Sequence, residues 1–432
     1  MESGWSHRFR TFVFDQKCVP WRVAQSAGAL LEGSVRRRIP ALYRRVRLGR
    51  WRDLVRPLTR APLHHFYGYF DKSPWTRSGA LVLAHEATFS DRPPEASDAV
   101  RVGVVPATGE GGFEPIAETM AWNWQQGSML QWHPAEPDAS ILYNDRRDGM
   151  FVAVARDLRH GELRVYEKPF YAVTPDGKTA LGVNFARLQR LRPGYGYAGL
   201  SDPWAGHLSP EEDGVYCMDL NTGVSEFVVS LSKLASLQPD ASMRGAVHYV
   251  NHVQISREGR RFAFLHCWVL GKGRWGERLC VCDLDVASID VPMPGAMVSH
   301  YDWIDDRKIV AWAWLPDLGG HYIVCDVVQR SVSVFAPGVL TENGHCSFSP
   351  DRRWLLTDTY PDRHGMRTLI LFQPEEGRRT DLARLVSPRN VWGEIRCDLH
   401  PRWSRDGLRI CIDSVHEESR QMYSINVGEF VS

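Results

Sequence analysis

Short apolar runs alternate with polar turns along most of this chain, and one phrase recurs. Residues 252–268 read HVQISREGRRFAFLHCW, residues 345–360 HCSFSPDRRWLLTDTY and residues 400–413 HPRWSRDGLRICID, with a looser copy, HYDWIDDRKIVAWA, at 300–313. Each copy has a histidine, an apolar residue three places on, a polar turn and a hydrophobic strand. A hairpin-sized unit returning at about 45 residues is the mark of a repeat architecture, and strands alone at that period predict propeller blades. Hairpins over 64–89, 121–145 and 170–188 supply three further units, which makes seven. The expected fold class is therefore all-β, a seven-bladed β-propeller over residues 61–432 behind an N-terminal extension, 1–60. The last blade reaches the C-terminus with about three strands. Closure then calls for a strand from the N-terminal segment, because a closed ring leaves no edge on which other chains can pair.

The extension reads differently. From Trp21 to Arg60 the spacing of Ala, Leu and Arg is helical, interrupted at Pro40 and Pro57. Residues 35–60 carry ten arginines against Asp53. Such a run is either a solvated basic face or a docking segment for an anionic partner. The whole chain has a net charge of only +1, which implies no field for nucleic acid. Nine cysteines without disulfide-like spacing, most of them in strand-like runs, predict buried thiols in a reducing compartment. The first residues lack an apolar stretch of signal-peptide type and no run approaches a membrane span, so a cytoplasmic location is expected. The load of 16 Trp, 14 Tyr and 17 Phe suits stacked sheets and carbohydrate-binding surfaces alike.

Register turns the repeated histidine into candidate chemistry. In a propeller the first strand of each blade lines the channel, starting on one face and turning on the other. His252, His300, His345 and His400 each stand four residues before the turn position held by Ser256, Ile304, Ser349 and Ser404. They are expected to converge at one mouth of the channel. The ends of the second strands belong to that face too: His266 and Cys267, Asp358 and Tyr360, Asn184 and Arg187. His133 falls at the turn position and is expected on the opposite face. Converging imidazoles with a thiolate suit a borderline transition metal. The plainer alternative is an echo of repeat duplication, each histidine being satisfied locally.

Four stretches carry a family resemblance: HHFYGYFDKSPW (64–75), WNWQQG (122–127), NFARLQRLRPGYGY (184–197) and GHCSFSPDRRWLLTD (344–358). Together they resemble the seven-bladed propeller polysaccharide lyases, the ulvan lyases more closely and the oligogalacturonate lyases more distantly, across residues 64–432. The resemblance implies β-elimination at a uronic acid: a base takes the C5 proton, a cation neutralises the carboxylate and an acid protonates the leaving O4. In the ulvan lyases a Tyr and an Arg sixteen residues later share the site with histidines, and Tyr171 and Arg187 have that spacing. The likeness makes Tyr171 the acid and also a base, and Arg187 the neutralising group. By the oligogalacturonate lyase pattern His252 matches the base, His300 a first metal ligand and His400 a later one. That family's Gln-x-x-His-x-His is absent, with Ile395, Asp398 and His400 in its place. A divalent metal is implied, zinc in preference to manganese, held by some of His252, Cys267, His300, His345 and His400. His64, His65, Asn123, Gln126, Asn184 and Tyr195 are expected to bind the acidic oligo- or polysaccharide. The ulvan lyases have two further histidines before the Tyr, where this chain has WNWQQG. A non-catalytic scaffold or glycan-binding module is therefore the competing reading. No Gly-x-Ser-x-Gly elbow supports a peptidase.

Overall fold

The structure is a computed structural model that describes residues 54–271, 274–285, 288–388 and 390–431. The helical stretch expected from Trp21 and most of the basic segment 35–60 lie outside these residues. The chain forms seven four-stranded antiparallel sheets, six of them in chain order, and the fold is a seven-bladed β-propeller. Blade one runs from His64–Phe66 to Glu114–Thr119, blade two from Gln131–Trp132 to Gly161–Tyr166, and blade three from Ala172–Val173 to Ser225–Ser230. Blade four begins with Val247–Ile255, blade five with Met297–Trp303, blade six with Ser347–Phe348 and blade seven with Arg402–Trp403. The fourth strand of blade seven is Val55–Pro57, paired antiparallel with Gln421–Asn426 in the register Val55↔Ile425 and Pro57↔Tyr423. Proline is tolerated there because an outermost strand leaves one side of its backbone without a ladder partner.

The recurring phrase has a local physical cause. At the turn, a hydroxyl residue brackets the residue five places on. The amide of Ser404 donates to the Arg409 carbonyl and the amide of Arg409 donates back to Ser404 Oγ, at 2.8 and 2.9 Å. Ser349 with Trp354, Ser256 with Arg261, Thr174 with Thr179 and Thr76 with Leu81 repeat the arrangement. The Asp two places later in blades three, six and seven accepts from the hydroxyl and fixes its direction. The aromatic of the phrase joins blades. Trp303 Nε1 donates to the Gln254 carbonyl and Trp403 Nε1 to that of Ser347, while Trp132 Nε1 reaches Pro74. These buried indoles satisfy their one polar atom on the neighbouring blade while their rings fill the wedge between sheets.

Blade three departs from the expected hairpin. Its second strand ends at Gly182 and a short helix, Phe185–Leu191, follows. Asn184 caps that helix, its side chain accepting from the Arg187 amide. Among the described residues no helix is long and apolar enough to cross a membrane.

Candidate active site

After its first strand, blade one sends Tyr67–Phe70 into the space between the blades. Gly68 makes this possible: its φ is +130°, and a Cβ there would stand 2.7 Å from the backbone carbon of Gln126. Asp413 accepts from the amides of Tyr67 and Gly68, and Arg402, paired with Asp413, donates to the carbonyls of Gly68 and Tyr69. The segment is thus held by a buried ion pair of blade seven. Tyr69 stacks on His252 at 4.9 Å and meets His400 edge-on at 4.9 Å and His345 at 6.0 Å. Phe70 lies 5.4 Å from His345 and 6.1 Å from His300. His300 and His345 are 4.2 Å apart, His345 and His400 4.4 Å. The four histidines surround Tyr69 and Phe70, with His252 on one side of the Tyr69 ring and the other three close together.

Backbone irregularity aims two of these side chains. The strand pairing of blade four shifts between Asn251 and Gln254, and that of blade five between Val298 and His300. Such bulges re-aim side chains at functional rims. His252 sits at φ +53° and His400 at φ +41°, a region that costs a non-glycine residue about 1–2 kcal/mol. The His252 amide, released from the ladder, donates to the Tyr171 hydroxyl at 3.1 Å and to Asn251 Oδ1 at 2.9 Å.

His252, His300 and Tyr171 line a small cavity, partly open to solvent, with Tyr69, Phe70 and Asp71. The Nδ1 of His252 is buried there without a partner. Burial, reinforced by Arg192, His345, Arg396 and Lys72, holds His252 well below the ordinary histidine pKa, so its imidazole is neutral at pH 7. The Tyr171 hydroxyl accepts from Gln126 Nε2 at 2.5 Å and donates to Asn251 Oδ1 at 3.2 Å. Burial, with Asp71 adding, raises its pKa well above the usual phenol, so it keeps its proton.

Among the described residues, one group of three or more His, Cys, Asp or Glu brings its ligand atoms within 4.8 Å of one another: His345, Asp398 and His400. Each imidazole is anchored through Nδ1, His345 on the Asp358 carboxylate at 2.8 Å and His400 on the Gly68 carbonyl at 2.7 Å. These partners only accept, so Nδ1 carries the proton and Nε2 offers a lone pair. Both Nε2 atoms are buried without a hydrogen-bond partner. Outer-shell acceptors on one ring nitrogen and an unpaired lone pair on the other are what a divalent metal requires of histidine. The residues fit such an ion. His300 donates from Nδ1 to Asn343 Oδ1 at 3.0 Å beside the group but is outside the set.

Other expected site residues stand elsewhere. Arg187 lies on the helix of blade three, not at a strand end. It is 1% exposed and bonds Asp202 and the carbonyls of His248, Trp204, His207 and Leu208, so its donors are spent inside the fold. Besides its cap, Asn184 donates to Asp202 and Asp213. Asn123 closes the WNWQQG turn, accepting from the amides of Gln125 and Gln126. His65 has both ring nitrogens engaged, with Gln421 and Glu86, and His64 contacts Ser90. Cys267 is buried in blade four, paired with Tyr249 and Glu277 across the strands, and belongs to no ligand group. The structure does not bring that thiol into the ligand group, and the side chain is packed in the hydrophobic core that blade four shares with its neighbours. His266 bonds His248 at 2.9 Å. Tyr195 does reach the site: it meets His252 edge-on at 5.2 Å and accepts from Arg396 Nη2 at 2.6 Å. Sequence reasoning missed Tyr69 and Phe70, and it missed Arg396. The glycine between two aromatics in Tyr67–Phe70 was the available signal for the first two.

No protein-family model matches the sequence, and no curated protein matches it. In three dimensions the chain is similar to an oligogalacturonate lyase from Vibrio parahaemolyticus, with 12% identity and a TM-score of 0.61 over 88% of this chain and 94% of that one. It is similar also to an oligogalacturonate lyase in complex with manganese, with 16% identity and a TM-score of 0.60 over 86% and 92%. At these identities the likeness is one of fold: the chain has the propeller architecture of the oligogalacturonate lyases.

Proposed function

We propose that this protein is a lyase that cleaves an oligosaccharide containing uronic acid by β-elimination, with His252 as base and Tyr171 as acid. The observation that carries the reading is the neutral imidazole of His252. It is buried, has an unpartnered ring nitrogen, lines a cavity with a protonated phenol and lies among cationic side chains. A general base must be unprotonated at the working pH and its partner acid protonated, and these two environments push the groups in those directions. In the step, His252 takes the C5 proton and the electron pair forms the C4–C5 double bond. The C4–O4 bond breaks, and O4 takes the Tyr171 proton. Transfer of the proton from His252 to solvent and its return to Tyr171 reset the site.

The C5 proton is weakly acidic, so charge growing on the adjacent carboxylate must be stabilised. Arg187 is committed to the helix of blade three, and Lys72, Arg192 and Arg396 are the cations whose fields reach His252. His345, His400 and Asp398 would hold a divalent ion. When bound, such an ion withdraws electron density from a carboxylate ligand. The preference for zinc over manganese came from the ulvan lyase resemblance, and nothing in the ligand group supports it. A set of two nitrogens and one oxygen is as open to manganese as to zinc. The similar oligogalacturonate lyase in complex with manganese supports a metal of this class.

The test is incubation of the protein with oligogalacturonates and other uronate oligosaccharides, with manganese or zinc supplied. An unsaturated product absorbing in the far ultraviolet is expected, and Tyr171→Phe should abolish it while leaving the chain folded, at a melting temperature lowered by the loss of buried hydrogen bonds. No unsaturated product from any substrate would overturn the reading. The same cavity serves a glycan-binding module if sugars bind without turnover. That alternative draws on the Tyr171 oxygen, whose three hydrogen-bonding positions are already filled.

A further inference from the structure

Two demands fall on one carboxylate. Asp398 belongs to the ligand group, with its Oδ2 3.8 Å from His400 Nε2. The same Oδ2 accepts from Arg396 Nε at 2.6 Å. The other oxygen, Oδ1, pairs with Arg367 at 2.7 Å. The two arginines are not equivalent. The side chain of Arg367 is 4% exposed in the third strand of blade six, Met366–Gln373. That of Arg396 is 20% exposed, on the loop entering blade seven, with its Nη2 on the Tyr195 hydroxyl beside His252. Gln125 and Arg420 hold this loop through the Arg396 carbonyl, so the backbone is pinned while the guanidinium reaches into the site.

A guanidinium and a divalent ion on one carboxylate repel each other strongly in a partly buried site. We propose that Arg396 is the carboxylate-binding residue of this site and is held in reserve on Asp398. With the ligand group empty of metal, Arg396 neutralises Asp398. An ion bound by His345, His400 and Asp398 takes over that neutralisation and leaves the planar fork of Arg396 for the carboxylate of an acidic sugar, which it matches in shape. Ion and sugar acid therefore bind with positive coupling, and the coupling is reciprocal. The inference rests on the metal group and on the class of substrate argued above, but not on turnover.

Calorimetric titration with Mn²⁺, with and without D-galacturonate, tests it on the wild-type chain, Arg396→Gln and Arg396→Lys. Galacturonate has no glycosidic bond to cleave, so binding is read apart from chemistry. Arg396→Gln is expected to bind Mn²⁺ about tenfold tighter than wild type without the sugar, because the competing charge is gone. Galacturonate should tighten Mn²⁺ binding several-fold in the wild type and leave the glutamine variant unchanged. Arg396→Lys retains the charge and should keep Mn²⁺ affinity near the wild-type value, which separates loss of charge from loss of fold. The proposal is overturned if Arg396→Gln binds Mn²⁺ no more tightly, if galacturonate tightens it equally in both, or if neither protein binds the ion. Coupling without any unsaturated product sinks the lyase reading alone; product formation with an unchanged metal affinity in Arg396→Gln sinks this one alone.

Discussion

His252 joins three features that separately weaken a fold. It occupies a left-handed backbone position, sits at a bulge and buries an unpaired ring nitrogen. Strain of this kind persists where surrounding structure over-determines it, and here Tyr69, Tyr195 and the Tyr171 hydroxyl all contact the residue. Asparagine tolerates the same backbone conformation but cannot act as a base. His252→Asn should therefore lower kcat by about 10²–10⁴ and leave the melting temperature within a few degrees. Burial lowers the histidine's pKa, so the base stays competent below the ordinary value of 6.5. The acid limb of kcat/KM should fall below pH 6.5; a limb at or above that pH would remove His252 from the role. Of the residues expected at the site, His252, His300, His345, His400, Tyr171, Gln126 and Tyr195 meet at the mouth. Arg187 and Cys267 do not, because sequence spacing says how far apart two residues are but not whether a helix or a strand lies between them.

At the scale of elements, the hydroxyl-bracketed turn is the unit that repeats, and it was legible in the sequence because it is local. Its residues and their partners lie within five positions of each other. The closing strand is the opposite case. Val55–Pro57 has no strong strand pattern of its own, and its partner stands at the other end of the chain. It covers the edge of Gln421–Asn426, whose backbone groups would otherwise be open to another chain. A variant that lacks residues 1–57 should melt at a lower temperature and aggregate faster than the full chain, read by scanning fluorescence with light scattering. Unchanged melting and scattering would show that three strands suffice for blade seven. The segment Tyr67–Phe70 is likewise an element that only packing explains, since its position depends on Asp413 and Arg402 of blade seven.

Across the whole molecule, burial keeps many histidines neutral. His85 is lowered to about 3 and His248 to about 4, and His252, His266, His300 and His400 lie well below the ordinary value. In the unfolded chain each titrates near 6.5. Below that pH the unfolded state takes up protons that the folded state refuses, so stability falls as pH falls, by up to about 1.4 kcal/mol per pH unit for each such group. Burial raises Asp213 to about 6 and Glu277 to about 8 and also raises Asp302 and Glu394; these carboxyls work in the other sense, but they are four groups against the six histidines. The urea midpoint should therefore drop steadily from pH 7 to pH 5; a midpoint that rises over that range would contradict the burial of these rings. Sequence alone determined the ring of seven blades and the common face of the histidines, because both follow from local turns and a strand period of two residues. Tertiary structure alone decided which histidines share a ligand group, that Tyr69 stands between them and His252, and that Arg396 rather than Arg187 reaches Tyr195 beside His252. Those outcomes depend on side chains from blades far apart in the chain meeting at one point, and no local pattern encodes such a meeting.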